Sequence, residues 1–131
     1  MMKILYGTTN KGKLQAMEKS VRQLDIEIIG LNDLKCKLPL IEECGRTPLE
    51  NAEIKARAYF EAFHMHVFSC DSGLYFDELT DEEQPGIHVH RVNGRDLTPE
   101  ETLEYYVQSL EKVGGQSEAY YYTGLVIINE G

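Results

Sequence analysis

Long apolar segments, paired cysteines and an excess of basic residues are all missing from this sequence. No apolar run approaches the length of a membrane span, and the residues before the first polar loop are too few for a secretory signal, so we expect a cytoplasmic protein without a membrane partner. The three cysteines are odd in number and widely spaced, which favours reduced thiols over a disulfide framework.

The charge balance excludes a further class of partner. The formal net charge is −9, whereas non-specific binding to DNA or RNA needs a basic face. The same charge would repel a phosphorylated small molecule. A nucleotide ligand would therefore depend on local lysines and arginines, on backbone N–H groups and on a divalent cation.

The length of 131 residues and the order of the patterns predict one α/β domain over residues 1–131, with a mixed, twisted sheet flanked by helices. Strand patterns cover residues 3–7, 25–30, 67–74 and 118–129. Thr47-Pro48 starts a helix that runs to about Phe63, and Thr98-Pro99 starts another. The predicted buried stripe of this last helix is Leu103, Tyr106, Val107 and Leu110.

The segment from Val67 to Leu74 is an apolar run that ends in Asp71, Ser72 and Gly73. Polar groups at the carboxyl end of a buried strand point into the crevice where open α/β sheets bind ligands. Asp71 is therefore the first candidate for chemistry. The alternative is that Asp-Ser-Gly is only a turn, since these residues are the commonest turn formers.

A polar loop from Thr8 to Lys13 follows the first strand and precedes a helical pattern. Backbone N–H groups and the positive end of a helix meet at such a loop, which suits an anion. The glycine spacing differs from that of a Walker P-loop. A capped helix start with solvated lysines is the alternative interpretation.

An acidic pair, Glu42 and Glu43, lies in a predicted loop before the second helix, and Lys55 lies one turn beyond Asn51 on that helix. Lys55 can therefore project back towards Glu43, unless it is an ordinary surface lysine. Carboxylates from separate loops are what Mg²⁺ needs, together with phosphates and water, and this indicates metal-assisted phosphate hydrolysis. Alternate histidines, such as His88 with His90, are a weaker metal hypothesis.

These motifs stand in the order and spacing of a known family. Thr8 to Lys13, Glu43-Cys44-Gly45, Glu50-Asn51-Ala52 with Lys55, Asp71-Ser72-Gly73-Leu74 and Pro85-Gly86-Ile87 with Arg91 together resemble the inosine/xanthosine triphosphate pyrophosphatase family, also called the Ham1 or RdgB family. The resemblance implies hydrolysis of ITP, dITP and XTP to the monophosphate and pyrophosphate with Mg²⁺, in a homodimer.

The resemblance also implies roles for individual residues. Asp71 and Lys13 would be catalytic, and Glu43 and Asp71 would hold Mg²⁺. The substrate would be bound by Thr8, Thr9, Asn10, Lys11, Gly12, Lys13, Lys55, Ser72 and Gly73.

Three departures from the family pattern matter. Cys70 stands where an acid is usual, and it is either a small buried hydrophobe or a soft ligand that would shift the preference towards Mn²⁺. Val89 and His90 replace small residues before Arg91. The family's Gly-Phe-Gly-Tyr-Asp-Pro-like and Ser-His-Arg-like segments, which grip the purine, are absent from these 131 residues.

Two consequences of the missing segments are expected. Base selectivity should be relaxed, and the apolar run Leu125–Ile128 should be uncovered and pair with a second copy of the chain. The leading hypothesis is thus a Mg²⁺-dependent nucleoside triphosphate pyrophosphatase. The alternative is a catalytically weak or inactive nucleotide-binding protein that keeps the fold.

Overall fold

A computed structural model of the chain describes residues 1–89 and 91–129. Strands and helices alternate along much of this length, as the patterns predict. The elements in chain order are β1 (Met2–Tyr6), α1 (Lys11–Ser20), β2 (Ile26–Gly30), a short 3₁₀ helix (Leu31–Leu34), α2 (Pro48–Phe63), β3 (Val67–Phe76), β4 (Arg91–Val92), β5 (Arg95–Asp96), α3 (Pro99–Glu111) and β6 (Ala119–Ile128).

The main sheet is mixed and has the strand order β2-β1-β3-β6. β1 is parallel to β2 and β3, but it meets β3 only at its first two residues, Val67 and Phe68. β6 is antiparallel to β3 along all ten residues. Beyond Phe68, β3 and β6 therefore leave the body of the sheet as a long two-stranded ribbon, and this confirms the predicted mixed α/β sheet.

The two faces of the sheet bury separate apolar clusters. Leu5 and Val67 pack with Tyr59 of α2 on one face, and Ile4, Tyr6 and Phe68 pack near α1 on the other. Because side chains alternate along a strand, β1 and β3 supply both clusters. Odd-numbered residues of β3 consequently face α2, and even-numbered residues face α1.

Helix α2 has the bounds that its capping residues predict. The Thr47 hydroxyl accepts a hydrogen bond from Glu50 N (3.1 Å), and Pro48 is the first helical residue. The start of α2 rests on β6 at Gly124, where a Cβ would lie 2.5 Å from Leu49 Cα. The lack of a side chain at Gly124 lets the helix lie directly against the ribbon.

The predicted buried stripe of α3 is wrong in part. Tyr106 is buried and its ring lies 6.2 Å from that of Phe76, but Leu103 and Val107 are exposed. The buried line of α3 is instead formed by Thr102, Tyr106 and Ser109. Packing on the narrow ribbon covers only this line of the helix, so the other apolar side chains face outwards.

The Asp71-Ser72-Gly73 segment is neither a strand end nor a turn. It lies in the middle of β3, paired with Thr123 and its neighbours on β6. Turn-forming residues are held here in extended conformation by a ladder to a strand fifty residues later.

Among the described residues, no helix is long and apolar enough to cross a membrane.

Candidate active site

Lys55 lies at the centre of the charged groups that the sequence singles out. Its Nζ donates a hydrogen bond to the carbonyl oxygen of Cys70 (2.9 Å), and lies 3.6 Å from Glu43 Oε1 and 4.0 Å from Asp71 Oδ1. The Lys55 side chain is only 17% exposed, against 22% for Asp71 and 47% for Glu43. One partly buried ammonium thus holds two carboxylates from different segments together.

The topology explains how these groups meet. Asp71 lies on the part of β3 that extends past β1, and as an odd-numbered residue it faces α2. Lys55 lies near the middle of α2, and Glu43 lies in the irregular segment between the 3₁₀ helix and α2. The predicted projection of Lys55 towards Glu43 is therefore seen in the structure.

The Thr8–Lys13 loop forms the start of α1, beside the end of β1. Asn10 is the N-cap, and its Oδ1 accepts a hydrogen bond from Lys13 N (3.1 Å); Thr8 Oγ1 accepts one from Asn10 N (3.1 Å). Thr9, Lys11 and Gly12 are exposed. The capped-helix interpretation is thus correct for the local structure. It leaves a helix N-terminus with two lysines, Lys11 and Lys13, and this setting suits an anion.

Ser72 and Gly73 make their contacts within the ribbon. Ser72 lies on the opposite face of β3 from Asp71, and its hydroxyl lies 2.9 Å from Thr123 Oγ1. At Gly73, the space that a Cβ would need is filled by the Tyr75 ring, 2.9 Å away. In this structure both residues support the ribbon itself.

Cys70 points away from Asp71, into the apolar cluster on the α1 side. Cys70 packs against the cluster of Ile4, Tyr6 and Phe68. Burial raises the pKa of its thiol, while Tyr6, Lys55 and Lys13 oppose that rise. Burial, with Cys70 as neighbour, also raises the pKa of Tyr6 to about 12. The small-hydrophobe interpretation of Cys70 agrees with this packing.

A cleft of about 780 Å³ is lined by Glu43 and by Leu74 and Tyr121 of the ribbon. Arg91 Nε and Asp96 Oδ1, 2.9 Å apart, line this cleft, and each holds the other in its charged form: the pKa of Arg91 is raised and that of Asp96 lowered. Sequence reasoning singled out His88 only as a metal candidate, and it missed Asp96 and Tyr121 as lining residues. Only the pairing of β6 with β3, which sets Tyr121 opposite Leu74, brings Tyr121 there.

The fit to a divalent cation rests on the donor set. Glu43 and Asp71 offer the hard carboxylate oxygens that Mg²⁺ prefers. Within residues 1–89 and 91–129, however, no three His, Cys, Asp or Glu side chains group as a metal site, and Lys55 lies beside both carboxylates. These residues therefore fit a cation that takes its remaining ligands from substrate phosphates and water. His90, the second histidine of the weaker metal hypothesis, lies outside the described residues.

Comparison of the fold with solved structures identifies the class of protein. A Ham1 protein from Coxiella burnetii superposes with a TM-score of 0.82 at 30% identity, over 99% of this chain and 65% of that one. The Staphylococcus aureus Ham1 protein superposes with a TM-score of 0.71 at 26% identity, over 98% of this chain and 73% of that one. The fold is thus that of the Ham1 proteins.

Sequence comparison agrees with the structural one. The sequence model of the Ham1 family matches residues 4–131, and this chain belongs to the Ham1 family. Its relatives include a dITP/XTP pyrophosphatase of Oceanobacillus iheyensis, 36% identical over 86% of this chain and 56% of the relative. Another, of Thermoanaerobacter pseudethanolicus, is 32% identical over 98% of this chain and 64% of the relative. The chain thus spans between half and two-thirds of the length of these relatives.

Proposed function

We propose that this chain is a Mg²⁺-dependent nucleoside triphosphate pyrophosphatase that hydrolyses ITP, dITP and XTP to the monophosphate and pyrophosphate. The observation that carries the proposal is the grouping of Glu43, Lys55 and Asp71, in which one partly buried ammonium lies within 4.0 Å of two carboxylates. Membership of the Ham1 family and the dITP/XTP pyrophosphatase names of its relatives support the choice of substrate.

The residues of this chain divide the work by their chemistry. Lys55 and Lys13 neutralise the phosphates and the charge that builds on the departing pyrophosphate. The first backbone amides of α1, with Thr8 to Gly12, bind phosphate oxygens. Asp71 orients a water molecule and accepts its proton as the water oxygen joins phosphorus and the anhydride bond between the α- and β-phosphates breaks.

The cation belongs to the same proposal. Glu43 and Asp71 would hold Mg²⁺, which when bound polarises the phosphate oxygens and offsets their charge. Mn²⁺ is the alternative, because it accepts the same oxygen donors.

Ser72 and Gly73 remain proposed substrate contacts, and to reach a substrate Ser72 would have to give up its bond to Thr123.

The setting of the site is proposed on the same grounds. We treat residues 1–131 as a single Ham1-like domain of a cytoplasmic protein without nucleic-acid or membrane partners. We propose a homodimer, because β6 is the outer strand of the described sheet and carries the exposed apolar side chains of Leu125 and Ile127.

A second candidate function is a nucleotide-binding protein without turnover. Two observations favour it: Cys70 packs into an apolar cluster where the family usually has an acid, and the side-chain oxygens of Thr8 and Asn10 are bonded within the loop. Such a protein would bind a triphosphate without cleaving it.

Pyrophosphate release from ITP, XTP, dITP, GTP and ATP, with Mg²⁺ or Mn²⁺, distinguishes the two. We expect release with the non-canonical purines, and its loss in Asp71→Asn. Asp81→Asn, an exposed residue of a turn, is the matched control. Binding of ITP without release by the folded wild type would establish the second candidate function instead.

A further inference from the structure

Asn51 is a polar side chain in the buried part of α2. It is only 2% exposed, and its backbone N–H already bonds to Thr47 O (3.2 Å) in the first turn of the helix. Its side-chain Oδ1 accepts a hydrogen bond from the backbone N–H of Gly45 (2.8 Å). The amide therefore links the helix to the irregular segment that precedes it.

The geometry around Gly45 shows how closely the two backbones approach. A Cβ at Gly45 would lie 2.6 Å from Asn51 Oδ1 and 3.0 Å from Asn51 N. The next residue is tied to the same turn, because Arg46 N donates to Glu50 Oε2 (2.6 Å). The end of the segment thus lies directly against the first turn of α2.

The segment has a second anchor on the other side of Glu43. Ile41 packs against the core cluster of Leu5, Tyr59 and Val67. Residues 38–45 have no regular secondary structure, and the backbone hydrogen bond from Cys44 N to Glu42 O is local. Glu43 lies between the two anchors, so its distance from Lys55 depends on them.

We propose that Asn51 is a positioning residue: through Gly45 it holds the Glu43 carboxylate beside Lys55 and Asp71, ready to bind the cation. The role in cation binding rests on the proposed function, whereas the role in holding the segment does not. Groups that orient metal-binding residues typically change metal affinity by 10- to 100-fold when they are removed.

The test uses variants that approach the contact from both sides. Asn51→Leu removes the acceptor at nearly constant volume, and Asn51→Asp keeps an acceptor for Gly45 N–H. Gly45→Ala displaces the segment without altering the core. Ser109→Ala, which removes another buried side-chain hydrogen bond on α3, is the matched control. Two readouts are amide hydrogen exchange of residues 43–46 by NMR and Mn²⁺ affinity by electron paramagnetic resonance without nucleotide.

We expect faster exchange of the residue-45 amide and about tenfold weaker Mn²⁺ binding in both Asn51→Leu and Gly45→Ala. Asn51→Asp should restore both properties in part, and Ser109→Ala should change neither. In a Glu43→Gln background, Asn51→Leu should weaken Mn²⁺ binding no further, because the two changes act through one carboxylate.

Unchanged exchange of the residue-45 amide in folded Asn51→Leu and Gly45→Ala would overturn the proposal. So would an equal loss of Mn²⁺ affinity with and without Glu43. A wild type that binds no Mn²⁺ would instead refute a cation site formed before nucleotide binds, and with it the role of Asn51 in cation binding. The exchange data would then still decide whether Asn51 holds the segment.

Discussion

At the scale of single residues, the contacts of Lys55 with Glu43 and Asp71 distinguish it from an ordinary surface lysine. Lys55→Met would leave the carboxylates of Glu43 and Asp71 without the ammonium group that lies between them. It would also remove a positive charge that attracts the triphosphate. We expect kcat/KM for ITP to fall by about 100-fold, the cost of losing one stabilising group at developing charge. Pyrophosphate release measures this.

Arg57→Met is the control for that experiment. Arg57 lies on the same helix and pairs with Glu53 at 2.9 Å on the surface, so its loss should change kcat/KM by less than about twofold. Equal effects of the two variants would show that Lys55 acts only through the general charge of the protein.

The packing of Cys70 predicts which of its two suggested roles is correct. Cys70→Ala removes a thiol from the cluster of Tyr6 and Phe68, and should cost about 1 kcal/mol of unfolding free energy. The ratio of activity with Mn²⁺ to activity with Mg²⁺ should stay the same. A soft-ligand role would show itself as a large change in that ratio, measured beside urea unfolding.

At the scale of elements, the contact between α2 and β6 sets the position of the site. Gly124 lies opposite Asp71 in the ladder and directly beneath Leu49. Gly124→Ala would force apart the backbones of α2 and β6, and we expect a loss of about 1–3 kcal/mol of unfolding free energy. Leu103→Ala, at an exposed position of α3 away from this contact, should cost less than about 0.5 kcal/mol. Thermal unfolding of the two variants tests this, and equal stabilities would contradict the close contact.

The elements also show how far the sequence could be read. The bounds of α2 follow from Thr47 and Pro48, and the position of Lys55, one turn beyond Asn51, predicts its projection towards Glu43, so local signals were sufficient there. They failed at Asp71-Ser72-Gly73, because pairing with β6 fifty residues later keeps turn formers extended. They failed at α3 because the periodicity of Leu103 and Val107 cannot show how little of the ribbon is available to cover them. Tyr121 and Asp96 were missed because long-range pairing and loop placement bring them to the cleft.

At the scale of the whole molecule, the burial of Tyr6 makes the free energy of unfolding fall at alkaline pH. The pKa of Tyr6 is about 12 in the folded chain and about 10 when unfolded. The folded state keeps the proton longer, so stability present below pH 10 is lost as the pH rises towards 12. At about 1.4 kcal/mol per pKa unit, the loss from Tyr6 approaches about 3 kcal/mol.

Urea unfolding between pH 8 and 11.5 measures this dependence. Tyr6→Phe should lose less stability as the pH rises, because it has no hydroxyl to titrate. Parallel curves for the two proteins would show that Tyr6 does not titrate differently in the folded and unfolded states.

Association is the remaining property of the whole molecule. The stripe of Tyr121, Leu125 and Ile127 on β6 is turned away from α2 and exposed, with Ile127 60% accessible. Burying it against a second copy would remove apolar surface from water and pair an open strand edge. We expect light scattering after size-exclusion chromatography to give twice the chain mass of 15.0 kDa at micromolar concentration, and Ile127→Lys to give a monomer. Leu103→Lys places the same charge at an exposed apolar position of α3, and this control should remain dimeric. A monomeric wild type would refute the dimer. Monomers from both variants would refute the location of its interface on β6.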